Sequence, residues 1–252
     1  MRFNYHGQEA RLSWFTQELV TTSLDTVYGR ELLCRGYITE TGAQIPMEAL
    51  ISYLYLHSEI LLTMTCQQIR DSCDHQPLGG KSISSWSNIG GPLIAEQHLF
   101  RQLWRDSLRS LSPLQKQALV LEICESDIGD EQVIERVAFL KKKGFMIAMD
   151  DFGAGHSNLL RLNQAEFDII KLDLNLLSQV PSDLWAASFY REIVNLCASK
   201  GCLIVAEGVE TPAQSDFVRW AGVDLIQGYL YSTPELWVDS VTKTAYQQPI
   251  RA

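Results

Sequence analysis

The amino-acid sequence predicts an α/β fold, and within that class a (β/α)8 barrel. Short apolar segments, about eight of them, alternate strictly with about seven amphipathic segments once the first two have passed. Nearly every apolar segment ends at an acidic, amide or basic side chain. With 252 residues, 46% of them hydrophobic, the chain can build one large core or two small domains. Because strict alternation favours right-handed crossovers that close into a barrel, the barrel is the preferred prediction.

Strands are predicted where a short apolar run stops at a polar or charged residue, as buried parallel strands do. In chain order they are residues 14–20, 27–35, 82–88, 118–123, 145–149, 167–170, 202–206 and 223–226. Helices are predicted where apolar residues recur at three- and four-residue intervals. They are residues 46–70, 93–111, 131–143, 184–199, 211–221 and 234–245, with a short helix after the glycine-rich turn at 153–155 and a loop at 71–81.

Proline, threonine and glycine mark the predicted helix ends. Pro212 stands in the first turn of its helix, where a missing N–H leaves no bond unmade, and Thr211 is the expected N-cap. Gly144 follows a lysine-rich last turn and is expected to adopt left-handed backbone angles. No linker or repeat interrupts these elements, so one domain is expected over residues 1–252, with its core at about 14–247.

Composition argues against nucleic acids and membranes as partners. The net charge is -9 and the pI is about 5.0, which disfavours a surface that neutralises nucleic-acid phosphates. Metal ions can still bring an anionic ligand to an acidic protein. Six cysteines without a CxxC pair indicate reduced thiols in the cytoplasm. The N-terminus lacks a signal-peptide core, and the most hydrophobic window, residues 49–64, is short and interrupted by polar side chains.

Side chains near the predicted strand ends are the candidate functional residues, because function in this architecture lies where strands end. They are Glu31, Asn88, Glu122, Asp150, Asp151, Lys171, Asp173, Glu207 and Gln227. Any one of them alone is more simply explained as a solvated loop residue, a turn residue or a helix cap. Glu122 and Glu207 lie against apolar runs, where burial of an idle carboxylate is costly. Recurrence at corresponding positions of many strands indicates a common site.

Several carboxylates at one rim repel each other unless cations compensate them. A ligand set of carboxylates and an amide, without cysteine or histidine, favours Mg²⁺ or Mn²⁺ over zinc. The adjacent pair Asp150 and Asp151 allows one bridging and one terminal carboxylate, as in two-metal sites that suit in-line displacement at phosphorus. Lys171 is placed to hold the attacking water. The residues therefore predict metal-assisted hydrolysis of a phosphate ester.

Seven motifs, taken in order, closely resemble the EAL-domain phosphodiesterases of bacteria, which hydrolyse cyclic di-GMP to linear pGpG. The motifs are GRELLCR, SNIG, LEICES, DDFGAGHSNL, IIKLD, VAEGVET and IQGYLYSTP, and the resemblance runs from about residue 17 to residue 234. It implies a modified, TIM-like (β/α)8 barrel whose first strand runs antiparallel to the rest. It also implies two Mg²⁺ or Mn²⁺ ions per active site, cyclic di-GMP as substrate, and a homodimer.

The resemblance further implies roles for individual residues. The expected metal ligands are Glu31, Asn88, Glu122, Asp150 and Asp151, with Asp150 bridging two ions. Lys171 would bind the nucleophilic water, Glu207 is the candidate general base, and Glu125 would steady the loop after Asp151. The expected substrate contacts are Gln17, Leu33, Arg35, Asp173, Glu210 and Gln227.

The chain departs from the family pattern at several positions. Leu32 replaces the alanine of the Glu-Ala-Leu signature, Cys124 replaces a threonine and loses a hydroxyl donor, and Gly36 replaces a tryptophan near the guanine base. Ala154 and His156 replace threonine and tyrosine in the glycine-rich loop. None of these changes removes an expected ligand, so hydrolysis is the leading hypothesis. The alternatives are a weak or inactive relative that binds cyclic di-GMP or a protein partner, and an unrelated phosphatase on the same barrel.

Overall fold

The computed structural model describes residues 1–74, 83–155, 162, 164 and 166–237. The strands are β1 Arg2–Tyr5, β2 Gln8–Thr21, β3 Val27–Ile38, β4 Ser84–Asn88, β5 Leu119–Cys124, β6 Met146–Phe152, β7 Ile169–Leu172, β8 Leu203–Ala206, β9 Leu225–Ile226 and β10 Glu235–Leu236. The α-helices are α1 Met47–Leu56, α2 Ser58–Asp74, α3 Gly91–Ala95, α4 Gln97–Leu103, α5 Pro113–Gln117, α6 Glu131–Lys142, α7 Leu184–Ser199 and α8 Pro212–Ala221. A π-helical turn spans Trp104–Leu108, and 3₁₀ turns span Glu125–Asp127 and Leu174–Leu177.

Strands β2 to β9 form a closed barrel. Each strand pairs with the next one in the chain, and β9 pairs back with β2. Strands β3 to β9 are mutually parallel, whereas β2 is antiparallel to both of its barrel neighbours. The predicted α/β barrel is therefore confirmed, and so is the antiparallel first strand that the family resemblance implied.

Strands β2 and β3 extend beyond the barrel as a two-stranded ribbon. Their register runs from Val20 opposite Val27 to Ala10 opposite Ile38, whereas β4 pairs with β3 only as far as Leu32. Strands β1 and β10 pair with the other edge of β2 along this ribbon. Both long strands were predicted too short, because the ribbon lacks the continuous apolar run of a buried parallel strand.

One apolar layer fills the inside of the barrel. Seven strands supply its side chains, which are Leu19, Trp86, Val120, Ala148, Ile169, Val205 and Leu225. The eighth strand, β3, supplies Gly29, because the indole of Trp86 occupies the space that a Cβ at position 29 would need. A second, larger core lies between the strands and the surrounding helices. The inner layer forms the floor on which the functional side chains sit.

Two long predicted helices are divided in the structure. The predicted helix 46–70 is α1 and α2, which meet at His57 with a bend of 111°. The His57 ring nitrogen Nδ1 lies 2.8 Å from the carbonyl oxygen of Tyr53, and its ring stacks on the Tyr53 ring. The predicted helix 93–111 is α3, α4 and the π-helical turn. Among the described residues, no single helix has the length and apolar content of a bilayer span, although the bent pair passes that test jointly.

The predicted helix 234–245 is wrong where it can be compared. Residues 235–236 form β10, which pairs with the open edge of β2, and residues 238–245 lie outside the described residues. Edge pairing is a tertiary effect that helical periodicity cannot reveal. The predicted loop 71–81 is helical as far as residue 74, with residues 75–81 outside the described range. Most of the short helix predicted after the glycine-rich turn also lies outside it.

The predicted helix ends are confirmed at three positions. Thr211 caps α8 by accepting a hydrogen bond from the backbone N–H of Gln214, whose side-chain oxygen accepts one from the Thr211 backbone N–H. Pro212 is the first residue of that helix. Gly144 has a φ of 92°, the left-handed value expected after α6. Local capping chemistry therefore positions these helices as the sequence indicates.

Candidate active site

Eight polar side chains form a second layer inside the barrel, directly above the apolar one. Each barrel strand contributes one of them, two residues beyond its member of the apolar layer, or two residues before it on the antiparallel β2. Side chains alternate along a strand, so both members of each pair point inward. The eight residues are Gln17, Glu31, Asn88, Glu122, Asp150, Lys171, Glu207 and Gln227. Seven of the eight were expected together at the strand ends, and the structure places Gln17, which only the family resemblance had indicated, in the same layer.

Lys171 lies at the centre of this polar layer and is 1% exposed. Its ammonium nitrogen Nζ is 2.8 Å from Glu122 Oε1 and 2.8 Å from Asp150 Oδ1. The same nitrogen is 2.9 Å from Glu207 Oε1 and 3.2 Å from Glu31 Oε2. Four carboxylates therefore share one ammonium, and the cluster is strongly negative when all four are ionised.

Amide side chains complete the hydrogen bonding of the cluster. Asn88 Nδ2 donates to Glu31 Oε1 at 3.1 Å and to Glu122 Oε2 at 3.4 Å. Gln227 Nε2 donates to Glu31 Oε2 at 2.8 Å and to Gln17 Oε1 at 3.3 Å. A metal ion would take the amide oxygen of Asn88, so metal binding requires this amide to turn over.

Burial and charge separate the pKa values of the cluster. Burial is the largest influence on Glu122 and Asp150 and raises the pKa of both carboxyl groups, with the charge of Glu31 adding to each rise. For Glu31, burial is outweighed by the Lys171 ammonium and the amide donors, and its pKa is lowered. Burial alone would lower the pKa of Lys171, but the four carboxylates raise it well above its ordinary value. Lys171 therefore stays charged at neutral pH.

Two groups of three carboxylates are arranged to hold divalent ions. In each group the ligand oxygens lie within 4.8 Å of one another, and the groups are Glu31, Glu122 and Asp150, and Asp150, Asp151 and Glu207. Glu122 Oε1 and Asp150 Oδ1 are buried, with the Lys171 ammonium beside them and no further hydrogen-bond donor among the described residues. Hard oxygen ligands with excess negative charge fit Mg²⁺ or Mn²⁺. The residues present thus fit a divalent cation.

Asp150 and Asp151 reach the rim at an irregularity in β6. The β6–β7 register shifts between Met149 and Phe152, and Asp151 has a φ of 58°, which is rare for a residue other than glycine. This irregularity lets two consecutive carboxylates face one site. Cys124 on β5 donates its thiol to Asp151 Oδ2 at 3.4 Å, and burial raises the Cys124 pKa to about 11. A protonated thiol therefore supplies a donor where the family's hydroxyl is missing.

Glu125 faces the turn that follows Asp151. Its Oε2 accepts a hydrogen bond from the backbone N–H of Gly153 at 3.4 Å. Gly153 has a φ of 101°, and a Cβ there would collide with Leu176, so the turn requires glycine. This position fits the loop-steadying role expected of Glu125, which stays a prediction. His156 lies outside the described residues.

A cavity of about 270 Å³ opens beside the cluster. Its lining includes Glu31, Asn88 and Asp150, the ribbon residues Leu33 and Arg35, and apolar side chains of α1 and α2. Leu33 and Arg35 therefore share a cavity with the candidate metal ligands. Their predicted role in substrate binding fits this placement and is not tested by it.

Two predicted substrate contacts lie apart from this hydrogen-bonded cluster. The Asp173 carboxyl oxygen Oδ1 accepts from the backbone and side-chain nitrogens of Asn175, at 2.9 and 2.7 Å, and so caps the turn Leu174–Leu177. Glu210 is exposed, and its backbone N–H donates to Gln214 at 3.0 Å. Within the described ranges, no hydrogen bond or ion pair joins either side chain to the cluster. Their substrate roles remain predictions without geometric support from it.

Two departures from the family pattern face the helices. Leu32 is buried, and its carbonyl oxygen accepts from Gln68 Nε2 at 2.7 Å. A Cβ at Gly36 would meet Leu50 at 3.1 Å and Ile45 at 3.2 Å. The missing tryptophan at position 36 therefore bears on the packing of α1, and the expected effect on a guanine base has no support from this geometry.

Sequence reasoning missed two residues that line the same cavity, Tyr55 on α1 and Asp127 in the turn after β5. Neither lies at the end of a predicted strand, where functional residues were expected. Tyr55 occupies an exposed position of an otherwise ordinary amphipathic helix. The one available signal was the acidic Asp127 two residues after Glu125, in a segment already singled out.

Glu207 makes the stability of the metal-free protein depend on pH. Burial raises its pKa from 4.5 to about 8, with Lys171 opposing the rise and Asp150 adding to it. The folded chain then retains a proton that the unfolded chain loses, so the contribution of Glu207 to stability is complete below pH 4.5 and is lost by about pH 8. In EDTA, the free energy of unfolding from urea titrations is expected to fall across this interval, and less steeply in Glu207→Gln. Equal slopes in parent and variant would contradict this assignment.

Comparisons with known proteins agree on one family. The model of the EAL domain matches residues 9–234. Escherichia coli K12 PdeG, a probable cyclic di-GMP phosphodiesterase, is 30% identical over 240 residues, covering 90% of this chain and 45% of PdeG. Escherichia coli K12 PdeN, also a probable cyclic di-GMP phosphodiesterase, is 31% identical over 228 residues, covering 86% of this chain and 42% of PdeN. The chain thus spans less than half the length of these relatives.

A solved structure shows the same architecture. Klebsiella pneumoniae BlrP1, in a complex with manganese and cyclic di-GMP, is 25% identical to this chain with a TM-score of 0.74. The match covers 94% of this chain and 58% of BlrP1. Sequence match, fold and the layer of acidic side chains lead to the same assignment. The chain belongs to the EAL domain family.

Proposed function

We propose that this chain is a metal-dependent phosphodiesterase that hydrolyses cyclic di-GMP to linear pGpG. The observation that carries the proposal is the cluster of four carboxylates around Lys171, of which Glu31, Glu122 and Asp150 are buried and Glu207 is partly exposed, with a fifth, Asp151, beside it. A cluster with so much excess negative charge is expensive to bury, and divalent cations are its natural counter-charge. The names of PdeG and PdeN, and the contents of the BlrP1 complex, support the same substrate and metal class.

The two carboxylate groups would hold two ions, Mg²⁺ or Mn²⁺. Glu31, Glu122 and Asp150, with the amide oxygen of Asn88, would hold the first, and Asp150, Asp151 and Glu207 would hold the second. When bound, such a pair of ions activates a water molecule and neutralises phosphate charge. The remaining steps belong to side chains of this chain.

Lys171 and Glu207 are the groups that act on the attacking water. The Lys171 ammonium stays protonated, so it can orient the water oxygen and offset the charge that develops on the phosphate. Divalent cations would displace the proton that Glu207 keeps in the metal-free chain, and its Oε1, 2.9 Å from Lys171 Nζ, is then the candidate to accept the water proton. The water oxygen forms the new bond to phosphorus, and the phosphorus bond to the ribose 3′ oxygen breaks. The proton that Glu207 accepted from the water passes through solvent to that leaving oxygen, which becomes the 3′ hydroxyl and makes the product linear.

The ribbon supplies the substrate contacts. Arg35 lines the cavity with its guanidinium anchored on the carbonyl of Cys34 at 2.8 Å, and a planar cation there suits a phosphate. Leu33 on the same wall gives an apolar surface for a base. Gln17 and Gln227 lie beside Glu31 in the polar layer. The cytoplasmic homodimer and the single domain expected from the sequence remain part of the proposal.

Hydrolysis of cyclic di-GMP by the purified chain tests the proposal. With Mn²⁺, chromatography is expected to show conversion to linear pGpG, and EDTA is expected to abolish it. Ca²⁺, which is larger and less demanding in geometry, is expected to inhibit. Intact cyclic di-GMP after incubation with Mn²⁺, while a known phosphodiesterase turns it over in parallel, would contradict the assignment.

The second candidate is a relative that binds cyclic di-GMP, or a protein partner, without hydrolysing it. The observation in its favour is that the cluster already contains a cation of its own, because the Lys171 ammonium contacts four carboxylates, and the Asn88 amide presents its nitrogen to two of them. Saturable calorimetric binding of cyclic di-GMP without any pGpG would support this candidate over the first.

A further inference from the structure

The phenol of Tyr55 joins three separate elements at the edge of the cavity. The backbone N–H of Gly91, the first residue of α3, donates to Tyr55 Oη at 3.1 Å. Tyr55 Oη donates in turn to Asp127 Oδ2 at 3.3 Å. Tyr55 lies on α1, and Asp127 ends the turn that follows β5. The three residues, Tyr55, Gly91 and Asp127, are called the rim clasp below.

Of the two segments that the rim clasp joins, one carries the candidate metal ligand Asn88 and the other carries Glu125, which contacts the turn after Asp151. Asn88 ends β4, and only two residues separate it from Gly91. One of these, Ile89, donates its backbone N–H to the carbonyl oxygen of Glu122 at 2.8 Å, so this loop is already tied to β5. On the other side, Asp127 follows Glu125 by two residues. A displacement of either segment would therefore reach Asn88 or Glu125 directly.

Close packing holds the rim clasp together. A Cβ at position 91 would collide with the Asp127 carboxyl group, so Gly91 permits an approach that no other residue allows. Burial raises the pKa of Tyr55 to about 12, with Asp127 adding to the rise. The phenol therefore remains a hydrogen-bond donor throughout the neutral range, and both of its bonds are available whenever the site is at work.

We propose that Tyr55 is a positioning residue for the candidate divalent-metal site, because it fixes the β4 and β5 loops relative to each other. This inference rests on the proposed function only because it assumes that the carboxylate cluster binds a divalent cation. Residues that orient metal ligands without touching the metal typically change metal affinity about 10–100-fold when they are removed. Tyr55 acts through Gly91 and Asp127, so removal of its hydroxyl is expected to change metal affinity and not the proton-transfer step.

Tyr55→Phe tests the proposal, since it keeps the ring that lines the cavity and removes the hydroxyl. Binding of Mn²⁺ to the full chain, followed by the electron paramagnetic resonance signal of free Mn²⁺, is expected to weaken about 10-fold. Tyr53→Phe is the matched control on the same helix. It removes a phenol that donates to the Asn4 carbonyl oxygen at 2.6 Å, and it is expected to leave Mn²⁺ affinity unchanged.

The partner of the phenol supplies a second test. Asp127→Ala is expected to weaken Mn²⁺ binding about as much as Tyr55→Phe, whereas Asp127→Asn, which keeps an acceptor oxygen, is expected to stay within about 3-fold of the parent. The double variant Tyr55→Phe/Asp127→Ala is expected to be no worse than either single variant. Parent-like Mn²⁺ affinity in folded Tyr55→Phe, or an equal loss in Tyr53→Phe, would overturn the rim clasp alone. A parent chain that binds no Mn²⁺ would overturn the metal site itself.

Discussion

Replacing Lys171 by methionine is expected to lower the free energy of unfolding by about 3–5 kcal/mol in EDTA and to reduce hydrolysis of cyclic di-GMP about 10²–10³-fold. The stability loss follows because the ammonium is the shared partner of three buried carboxylates and the partly exposed Glu207, and methionine leaves them facing each other. The activity loss follows because no other cation of the chain reaches that cluster among the described residues. Urea unfolding and a product assay measure the two effects.

Excess Mn²⁺ separates the contribution of Lys171 to stability from its contribution to hydrolysis. The variant cluster is more negative than the parent cluster, so Mn²⁺ should still bind and should restore most of the lost stability by mass action. Hydrolysis should not recover, because the water and phosphate have lost their ammonium. Lys141→Met is the control, since Lys141 pairs with Asp168 at 3.0 Å in a partly exposed ion pair outside the cluster, and its replacement is expected to cost about 1 kcal/mol. Recovery of parent activity by Lys171→Met with Mn²⁺ would show that the ammonium serves structure only.

Replacing Glu122 by glutamine is expected to change stability and activity in opposite directions. Glu122 is fully buried, and burial together with Glu31 raises its pKa well above the ordinary range. Glutamine of the same shape removes that repelling charge, so the free energy of unfolding in EDTA should rise by about 0.5–2 kcal/mol. The same change removes a ligand from the first carboxylate group, so Mn²⁺ affinity and hydrolysis should each fall by about 100-fold or more.

A matched surface variant separates this trade-off from a general effect of removing charge. Glu192→Gln changes an exposed glutamate that contacts Arg191 at 3.4 Å, and neither stability nor hydrolysis is expected to respond. Thermal unfolding in EDTA and in Mn²⁺ measures both sides of the prediction. A Glu122→Gln chain that unfolds at a lower temperature than the parent in EDTA would show that the carboxylate stabilises the metal-free fold, contrary to the predicted trade-off.

The polar layer could be predicted from the sequence because its members obey a simple rule. Each lies two positions along its strand from a buried apolar residue, and strand alternation carries that spacing directly into space, as with Val120 and Glu122. The short apolar runs of β5, β7 and β8 predict buried parallel strands, because such strands are covered on both faces in an α/β fold. The N-cap at Thr211 and the left-handed backbone at Gly144 could likewise be predicted from the residue types.

Other features depend on contacts that the sequence does not display. The break at His57 and the strand β10 arise from packing and edge pairing between distant segments. Asp173 satisfied the strand-end criterion, yet its side chain caps the next turn, because aspartate competes for nearby backbone N–H groups. The rim clasp could not be predicted for a similar reason, since Tyr55 and Asp127 are far apart in sequence and share no periodicity.

The antiparallel β2 has a consequence for the order in which the molecule matures. Its seam with β9 joins the two extremes of the described fold, and the hydrogen bond between Gln17 and Gln227 spans 210 residues of chain. Closing so long a loop costs conformational entropy, so these pairings form late, after the local β–α units have already formed. A nascent chain can therefore join β3 to β8, and with them the four carboxylates and Lys171, before this seam is made, and the bond between Gln17 and Gln227 forms only when the barrel closes.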